Sequence, residues 1–355
     1  MLCVELGNID IDLERMDKII NEFVPSGRNV HEKLKYKSLD LEKLKCYKVI
    51  KDVERINKSL GTLGGGNHFI EINVDEENNK YLVIHTGSRN LGKQVAEIYQ
   101  NEAIGQCSYL YEMEAEKQLA INLLKEENRE KEIQKKIKEI ESKYKGKTKI
   151  PKDLCYLQGE LREAYLHDMK ICQIFASDNR LCIAKQILCN YFELPYYSGY
   201  KSVRLREKGD SHSWYTQDMI VKDFYYFETI HNYISFEDNI VRKGAISAKK
   251  SERVLIPINM RDGSIIATGK GNNDWNNSAP HGAGRIMSRM KAKETFKLEE
   301  FKEIMKNVYS TSIVEETIDE APFVYKPMQE IIDNIQDTVK IEKIIKPIYN
   351  FKAKN

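Results

Sequence analysis

The placement of the histidines constrains this chain more than any other feature. Four of its seven histidines stand in turns that carry glycine or asparagine, beside short apolar runs that indicate strands. They are His68 in GTLGGGNHFIEI, His85 in VIHTGSRNLG, His231 in TIHNYISFED and His281 in APHGAGR. Loops at strand ends can bring distant segments together, so the sequence predicts a mixed α and β fold in which these turns share one cavity. The other three, His31, His167 and His212, lie in polar surroundings without such a signal.

The residues around these histidines suit phosphate groups and metal ions. GTLGGGNH has four glycines within six residues, and such a turn exposes backbone N–H groups to phosphate. HTGSRNLG and HGAGR each add an arginine, which can bind phosphate oxygens through two N–H groups. Imidazole is also the usual nitrogen ligand for zinc, manganese and related ions. A packed or surface imidazole remains the alternative for any single histidine, and residue type alone does not separate a metal ligand from a nucleophile. His281, with Arg285 following it, fits a nucleophile that attacks phosphorus.

Composition limits the class of protein. Lys and Arg total 56 and Asp and Glu total 54, so bulk charge does not favour nucleic acid, although a local basic cleft stays open. The seven cysteines are scattered without a C-x-x-C pair, which indicates reduced thiols. No apolar run is long enough for a membrane span, and the first residues lack the features of a signal peptide. We therefore expect a cytoplasmic protein with no membrane contact.

Apolar patterning predicts the order of elements. A strand in residues 2–12 should lead into a helix near Leu13, and a strand in YLVIH should precede a helix from about Lys93. Residues 219–270 read as strands and turns, and KIEKIIKPIYNFK reads as a final strand. The Glu/Lys-rich stretch 110–146 and a second helical stretch from about 153 to 188 predict an antiparallel helical hairpin. Its charge fits either a solvated face or a partner-binding face.

The sequence contains several long motifs, which are GTLGGGNHFIEI, HTGSRNLG, HNYISFE with VRKGAISA, VLIPINMRDGSIIATGKGNNDWNNSAPHGAGRIMSR and DEAPFVYKPMQEII. Through these motifs the chain resembles the RtcB family of GTP-dependent RNA-splicing ligases. The resemblance implies an α+β fold with central β-sheets surrounded by helices. It also implies one domain over 1–355, with the hairpin of 108–190 protruding from it as an insertion. The implied activity joins RNA 3′-phosphate or 2′,3′-cyclic phosphate ends to 5′-hydroxyl ends, with GTP and two manganese ions as cofactors.

The resemblance also implies roles for individual residues. His281 matches the guanylylated nucleophile, and the matching metal-ligating residues are His68, His85 and His231. Asn67 matches a phosphate-contacting asparagine, Glu71 a nucleotide-pocket residue, and Lys352 a lysine that contacts the guanine nucleotide. The other cofactor-binding candidates within the motifs are Arg89, Asn232, Ser278, Gly282, Gly284 and Arg285.

One family motif, D-x-x-C-G-M, is not matched, because Met1 coincides with its final methionine. Cys3 lies beyond the motif, and we interpret it as a strand residue. We therefore expect an N-terminally truncated chain that binds manganese weakly and guanylylates slowly, since two close cations lack an anionic bridge.

Two alternatives remain open at this point. One is a catalytically impaired RtcB-like protein that binds RNA or nucleotide, and the other is a metal-dependent phosphohydrolase.

RNA contacts are expected from local basic residues, with ordinary solvated lysine as the alternative for Lys291 and Lys293. These residues are Arg242, Lys243, Arg285, Arg289, Lys291 and Lys293. The oligomeric state stays open.

Overall fold

Two β-sheets lie in the residues that the computed structural model describes, which are 1–36, 41–195, 202–208 and 220–353. Their strands are β1 (Leu2–Gly7), β2 (Phe69–Val74), β3 (Lys80–His85), β4 (Ser202–Glu207), β5 (Ile220–Glu228), β6 (His231–Ile234), β7 (Val241–Ser247), β8 (Arg253–Asn259), β9 (Gly263–Gly269), β10 (Ser278–Pro280) and β11 (Val339–Lys352). The larger sheet has the order β4-β5-β1-β3-β2-β11-β9-β8, and the smaller has the order β10-β7-β6. Strands β4 and β5 pair in parallel, and the other pairs are antiparallel.

The described chain also contains α-helices. They are α1 (Leu13–Phe23), α2 (Val53–Lys58), α3 (Asn90–Gln106), α4 (Leu110–Glu126), α5 (Ile133–Tyr144), α6 (Gly159–Tyr191), α7 (Arg289–Thr295), α8 (Leu298–Ile304) and α9 (Met328–Asn334). The predicted α+β class is confirmed, as are the first strand and helix, the strands after residue 219 and the final strand. Helix α3 begins at Asn90 rather than near Lys93, directly after Arg89, whose φ of 54° ends the preceding loop. Among the described helices, none combines the length and apolar character needed to cross a lipid bilayer.

The chain divides into two compact units. The first comprises Met1–Ser38, Val53–Arg89 and Gln173–Asn355, and the second comprises Leu39–Asp52 and Asn90–Cys172. The prediction of one domain with an insertion over 108–190 stays a prediction. His212 lies outside the described residues.

Apolar alternation explains the core of the first unit. Residues Ile70 and Ile72 of β2 point to one face of the large sheet and are fully buried. That face packs against α1, through residues such as Met16 and Ile20, and against the end of α6 around Ile183. Burying each such side chain stabilises the fold by roughly 1.5–3 kcal/mol. The opposite face of β2 carries Phe69, Glu71 and Asn73, so buried polar groups lie on a central strand and require hydrogen-bond partners.

The second unit contains an antiparallel helical pair. The sequence predicted one helix over 110–146, but the structure has two, α4 and α5. The chain reverses after Asn128, whose φ of 59° lies in the left-handed region that asparagine tolerates. Ion pairs Lys117–Glu141 at 3.0 Å and Lys143–Glu116 at 2.7 Å join the two helices. The antiparallel hairpin therefore lies within the first predicted stretch.

A buried aspartate anchors this unit. Asp168 is fully buried and accepts hydrogen bonds from the backbone N–H groups of Lys45 (2.8 Å) and Cys46 (3.0 Å). The Tyr99 hydroxyl donates to it at 2.8 Å and the His167 ring nitrogen lies at 2.9 Å. Satisfied partners of this kind make burial of a carboxylate tolerable.

Candidate functional site

A cavity of about 200 Å³ in the first unit collects most of the predicted site residues. Its walls come from β2, β11, the β8–β9 turn and the glycine-rich segment that follows β10. The predicted residues that line it are Asn67, Glu71, His85, His281, Gly282, Gly284, Arg285 and Lys352. The cavity walls thus join turns that are far apart in the sequence. Of the four predicted histidines, His85 and His281 line the cavity, whereas His68 and His231 are not among its lining residues.

Four imidazole rings form a row at this cavity. Ring centroids of His68 and His85 are 5.7 Å apart, those of His85 and His231 are 5.1 Å apart, and those of His231 and His281 are 5.0 Å apart. Strand ends produce this row, because His68 precedes β2, His85 ends β3, His231 begins β6 and His281 follows β10. The structure therefore brings together the four histidines that the sequence singled out.

Burial keeps the first three rings neutral. Burial, with a smaller contribution from the guanidinium of Arg89, lowers the pKa of His68 to about 4. Burial lowers the pKa of His231 to about 3 and the pKa of His85 well below its ordinary value. In its neutral form, His68 must donate from Nδ1 to the Leu63 carbonyl oxygen at 2.8 Å, which leaves Nε2 as an acceptor. A neutral ring with a free nitrogen lone pair is the form that binds a metal ion.

The donor set is incomplete for a metal ion held by side chains alone. Within residues 1–36, 41–195, 202–208 and 220–353, no group of three or more His, Cys, Asp or Glu side chains is arranged to hold a metal ion. The ring contacts run along a row from His68 to His281. Cys3 lies in β1 as predicted, and burial raises the pKa of its thiol far above its usual value. The chemistry of the imidazoles suits a divalent ion, but anionic ligands must come from elsewhere.

Buried side chains contact the turn GTLGGGNH and hold its backbone in place. Asn179 Oδ1 accepts hydrogen bonds from the backbone N–H groups of Gly61 (2.7 Å) and Thr62 (3.1 Å). Gly64 has a φ of 86°, and a Cβ there would lie 1.5 Å from Nη1 of Arg89. Only glycine fits at this position.

Arg89 holds the same turn rather than lining the cavity. It donates to Thr62 Oγ1 at 3.0 Å, to the Leu63 oxygen at 3.3 Å and to the Gly27 oxygen at 3.1 Å. The arginine that the sequence suggested for phosphate therefore uses several of its N–H donors within the fold.

Asn232 and Ser278 support the segment that carries His281. Asn232, with a φ of 55°, accepts a hydrogen bond on Oδ1 from the Gly244 N–H at 2.7 Å. An ideal Cβ at Gly244 would lie 3.8 Å from Nδ1 of His281. Ser278 Oγ accepts from Arg242 Nε at 2.9 Å and donates to the Asn276 oxygen at 2.9 Å. Both predicted residues thus lie beside the cavity and brace its wall.

The sequence prediction that Arg242 contacts RNA is wrong. Its side chain is 1% exposed and pairs with Asp238 at 2.8 Å. Of the other basic residues named for RNA contact, Lys243, Arg289, Lys291 and Lys293 are exposed and Arg285 is half-buried. Arg289 and Lys293 also pair with Asp319.

A buried acidic pair at the cavity edge was missed by sequence reasoning. Glu320 accepts from Lys352 Nζ at 2.9 Å and from the Tyr325 hydroxyl at 2.6 Å, and it pairs with Arg285 at 3.2 Å. Burial favours its neutral form, but the Lys352 ammonium and its other partners lower the pKa of Glu320. Its neighbour Asp319 pairs with Arg289 at 2.9 Å and Lys293 at 3.5 Å. The motif DEAPFVYK contains these carboxylates, but its residue types alone do not show which cations they meet.

Glu71 lines the cavity and is 3% exposed. It accepts hydrogen bonds from the carboxamides of Asn350 at 2.7 Å and Asn73 at 3.3 Å. Burial raises its pKa to about 7, although both asparagines and Lys352 oppose the shift. Sequence reasoning missed the two asparagines; the available signal was two polar residues spaced by two in the buried strand FIEINV.

Comparisons with known proteins show which family this chain belongs to. The family model described as tRNA-splicing ligase RtcB matches residues 14–353. The RNA-splicing ligase RtcB of Escherichia coli K12 is 30% identical over 296 residues, covering 80% of this chain and 59% of that protein. The tRNA-splicing ligase RtcB of Nanoarchaeum equitans is 28% identical over 342 residues, covering 82% of this chain and 58% of that protein. The chain thus spans somewhat more than half the length of these curated relatives. The match over nearly all of its residues shows that this chain belongs to the tRNA-splicing ligase RtcB family.

Proposed function

We propose that this chain is an RNA ligase that joins 3′-phosphate or 2′,3′-cyclic phosphate ends to 5′-hydroxyl ends through a guanylylated His281. The observation that carries the proposal is the row of four histidine rings, which ends on His281 at a cavity whose wall includes Gly282 and Gly284. Membership of the family and the names of the relatives, RNA-splicing and tRNA-splicing ligases, favour RNA as the substrate and tRNA as one candidate.

The surroundings of His281 suit nucleophilic attack on a nucleoside triphosphate. Gly282 and Gly284 follow it in the cavity lining and have no side chains, so a phosphate chain can approach the ring. A ring nitrogen attacks the α-phosphorus of GTP, an N–P bond forms, and pyrophosphate leaves. For a 2′,3′-cyclic end, water first attacks the cyclic phosphorus and the bond to the 2′-oxygen breaks, which gives a 3′-phosphate. An oxygen of the RNA 3′-phosphate then attacks the guanylyl phosphorus and the imidazole leaves. The 5′-hydroxyl finally attacks the activated 3′-phosphate, loses its proton and expels GMP.

Glu71 and Lys352 are the proposed contacts to the guanine nucleotide, with Asn67 near its phosphates. They lie on the cavity wall and offer an acceptor, a cation and an amide. Lys352 Nζ also lies 5.6 Å from the centroid of the Phe69 ring, so an aromatic face borders the same region.

Manganese is the proposed metal, held by His68, His85 and His231. Their rings are in contact and burial keeps them neutral. A divalent ion there would offset phosphate charge during transfer. Because these three rings, like every other set of described His, Cys, Asp or Glu side chains, are not arranged to hold an ion by themselves, we expect weak binding of manganese alone and tighter binding when phosphate oxygens add anionic ligands.

Covalent labelling tests the proposal. The purified chain is incubated with α-³²P-labelled GTP and manganese, and the adduct is mapped by peptide mass spectrometry. Label on His281, lost on acid treatment as expected for an N–P bond and absent in His281→Asn, supports the proposal. His167→Asn is the control, since His167 is partly exposed and belongs to the second compact unit. Label that persists in His281→Asn contradicts it.

A second candidate is a nucleotide-binding or RNA-binding protein with impaired catalysis, and the incomplete metal set favours it. Joining of a 3′-phosphate RNA to a 5′-hydroxyl RNA on a gel separates the two functions. Binding of GTP without label on histidine and without joined RNA would support the second.

A further inference from the structure

Two buried asparagines stand behind the carboxylate of Glu71, away from the cavity. Asn73 and Asn350 are both 0% exposed, and neither is among the described residues that line the cavity. Strand register puts them there: Asn73 follows Glu71 by two residues on β2, and Asn350 of β11 is paired directly with Glu71. Residues at these positions share one face of the sheet.

Each asparagine donates to a different oxygen of Glu71. Asn350 Nδ2 lies 2.7 Å from Oε1, and Asn73 Nδ2 lies 3.3 Å from Oε2. A carboxylate has about four acceptor positions, so the two amides fix its plane and leave acceptor positions for a ligand. The Oδ1 atoms of both asparagines have no hydrogen-bond partner within the described structure. Both side-chain amides therefore interact with Glu71 only as hydrogen-bond donors, through Nδ2.

Hydrogen bonds from N–H donors also favour the ionised form of the acid. They oppose the effect of burial on Glu71, together with the nearby ammonium of Lys352. That ammonium is itself bound to Glu320 at 2.9 Å, so Glu71 depends on its two amides for direct hydrogen bonds. Loss of either amide would leave the carboxylate less fixed and easier to protonate.

We propose that Asn73 and Asn350 are positioning residues that hold Glu71 as a fixed double acceptor and thereby set the preference of the cavity for a guanine base. The proposal rests on the proposed function, in which this cavity takes GTP. The edge of guanine carries two adjacent N–H donors, N1–H and the 2-amino group, which a carboxylate in a fixed plane can accept together. The corresponding edge of adenine has an acceptor at N1, so the same carboxylate would repel it. Hypoxanthine keeps N1–H but lacks the 2-amino group.

The test is equilibrium binding of GTP, ITP and ATP, each measured separately by calorimetry on the full chain. The variants are Asn350→Leu and Asn73→Leu, which keep side-chain size and remove the donors. Asn190→Leu is the control, because Asn190 bonds to the Gln186 oxygen on α6. We expect the first two variants to lose about tenfold in GTP affinity, the value of one hydrogen bond to a charged group. The ratio of GTP to ITP affinity should fall towards one, and the control should keep both.

A purely structural role predicts a different result. Folded Leu variants that keep the wild-type GTP affinity and GTP-to-ITP ratio would overturn the inference while leaving the proposed function intact. Failure of the wild-type chain to bind GTP would overturn both.

A second variant covers the case in which the Leu variants do not fold. Asn350→Asp places a carboxyl group beside Glu71 at constant size, so the two acids compete for one proton. The pH midpoint of GTP binding should then move upward relative to the wild type, and an unchanged midpoint would overturn the inference.

Discussion

Replacing Glu71 by glutamine tests how the buried carboxyl group responds to pH. Burial raises the pKa of Glu71 from 4.5 to about 7. Such an acid holds its proton more tightly in the folded chain than in the unfolded chain. Its ionisation therefore removes stability as pH rises from 4.5 through about 7, and the loss is complete above that window. Glutamine is similar in shape and cannot ionise.

The size of the effect follows from the shift in pKa. At about 1.4 kcal/mol per pH unit, the rise from 4.5 to about 7 corresponds to roughly 3 kcal/mol. Part of this loss is already present at pH 5, because the unfolded carboxyl is largely ionised there. The free energy of unfolding of the variant, minus that of the wild type, should therefore increase by about 2–3 kcal/mol between pH 5 and pH 8.

Urea unfolding at several pH values and constant ionic strength provides the assay. Tryptophan fluorescence follows the unfolding, and Trp275 belongs to the same compact unit as Glu71. Taking the difference between variant and wild type cancels the titration of the histidines, which both chains share. Glu76→Gln is the matched control, since Glu76 is exposed in the turn after the same strand, and its difference should stay flat. The reasoning is refuted if the free energy of unfolding of Glu71→Gln, minus that of the wild type, does not change between pH 5 and pH 8.

Three further perturbations address the turn, the second unit and the histidine row. Gly64→Ala should cost about 2–3 kcal/mol in urea unfolding, because alanine is strained at a φ of 86° and its methyl group would displace the hydrogen-bonded guanidinium of Arg89. Gly66→Ala, with a φ of 74° and open space around it, should cost about 1 kcal/mol. Asp168→Asn should destabilise the second unit by about 3 kcal/mol through loss of charged hydrogen bonds, measured as loss of helical circular dichroism; an unchanged midpoint contradicts this. Burial lowers the pKa of His68 to about 4 and that of His231 to about 3. These histidines therefore bind protons at a higher pH in the unfolded chain than in the folded chain, and the free energy of unfolding should fall as pH drops below 6.5. His68→Gln should lessen that fall, and an equal acid response in both chains would count against it.

Much of the fold and the meeting of the histidines followed from local sequence signals. Apolar alternation located β1, β3 and β11, and glycine turns at strand ends predicted that His68, His85, His231 and His281 converge. These signals are local, since strand period and turn chemistry depend on adjacent residues.

The partners of charged side chains could not be predicted in the same way. Arg89 braces a turn and Arg242 pairs with Asp238, although both stood in motifs that suggested phosphate or RNA contact. The pairing of Glu71 with Asn350 depends on the register of strands that lie 279 residues apart. Such contacts are set by tertiary packing, which residue type and spacing do not encode locally.

The helical pair shows a related limit. No glycine or proline marks the reversal after Asn128, so composition favoured a continuous helix there. In the structure, the left-handed conformation of Asn128 interrupts the predicted helix.

The position of β11 between β2 and β9 has a consequence for how a ligand enters. Residues of β2, β11, β9 and β8, which are consecutive in the large sheet, form one wall of the cavity. The close contact of Gly263 with the backbone at Ile345 leaves no room even for a methyl group between β9 and β11. Ladder hydrogen bonds therefore set the spacing of this wall before any nucleotide arrives. If a nucleotide binds there, ordering of the wall should cost little of its binding free energy. Its association rate constant should then depend mainly on diffusion and on desolvation of the ligand and the cavity.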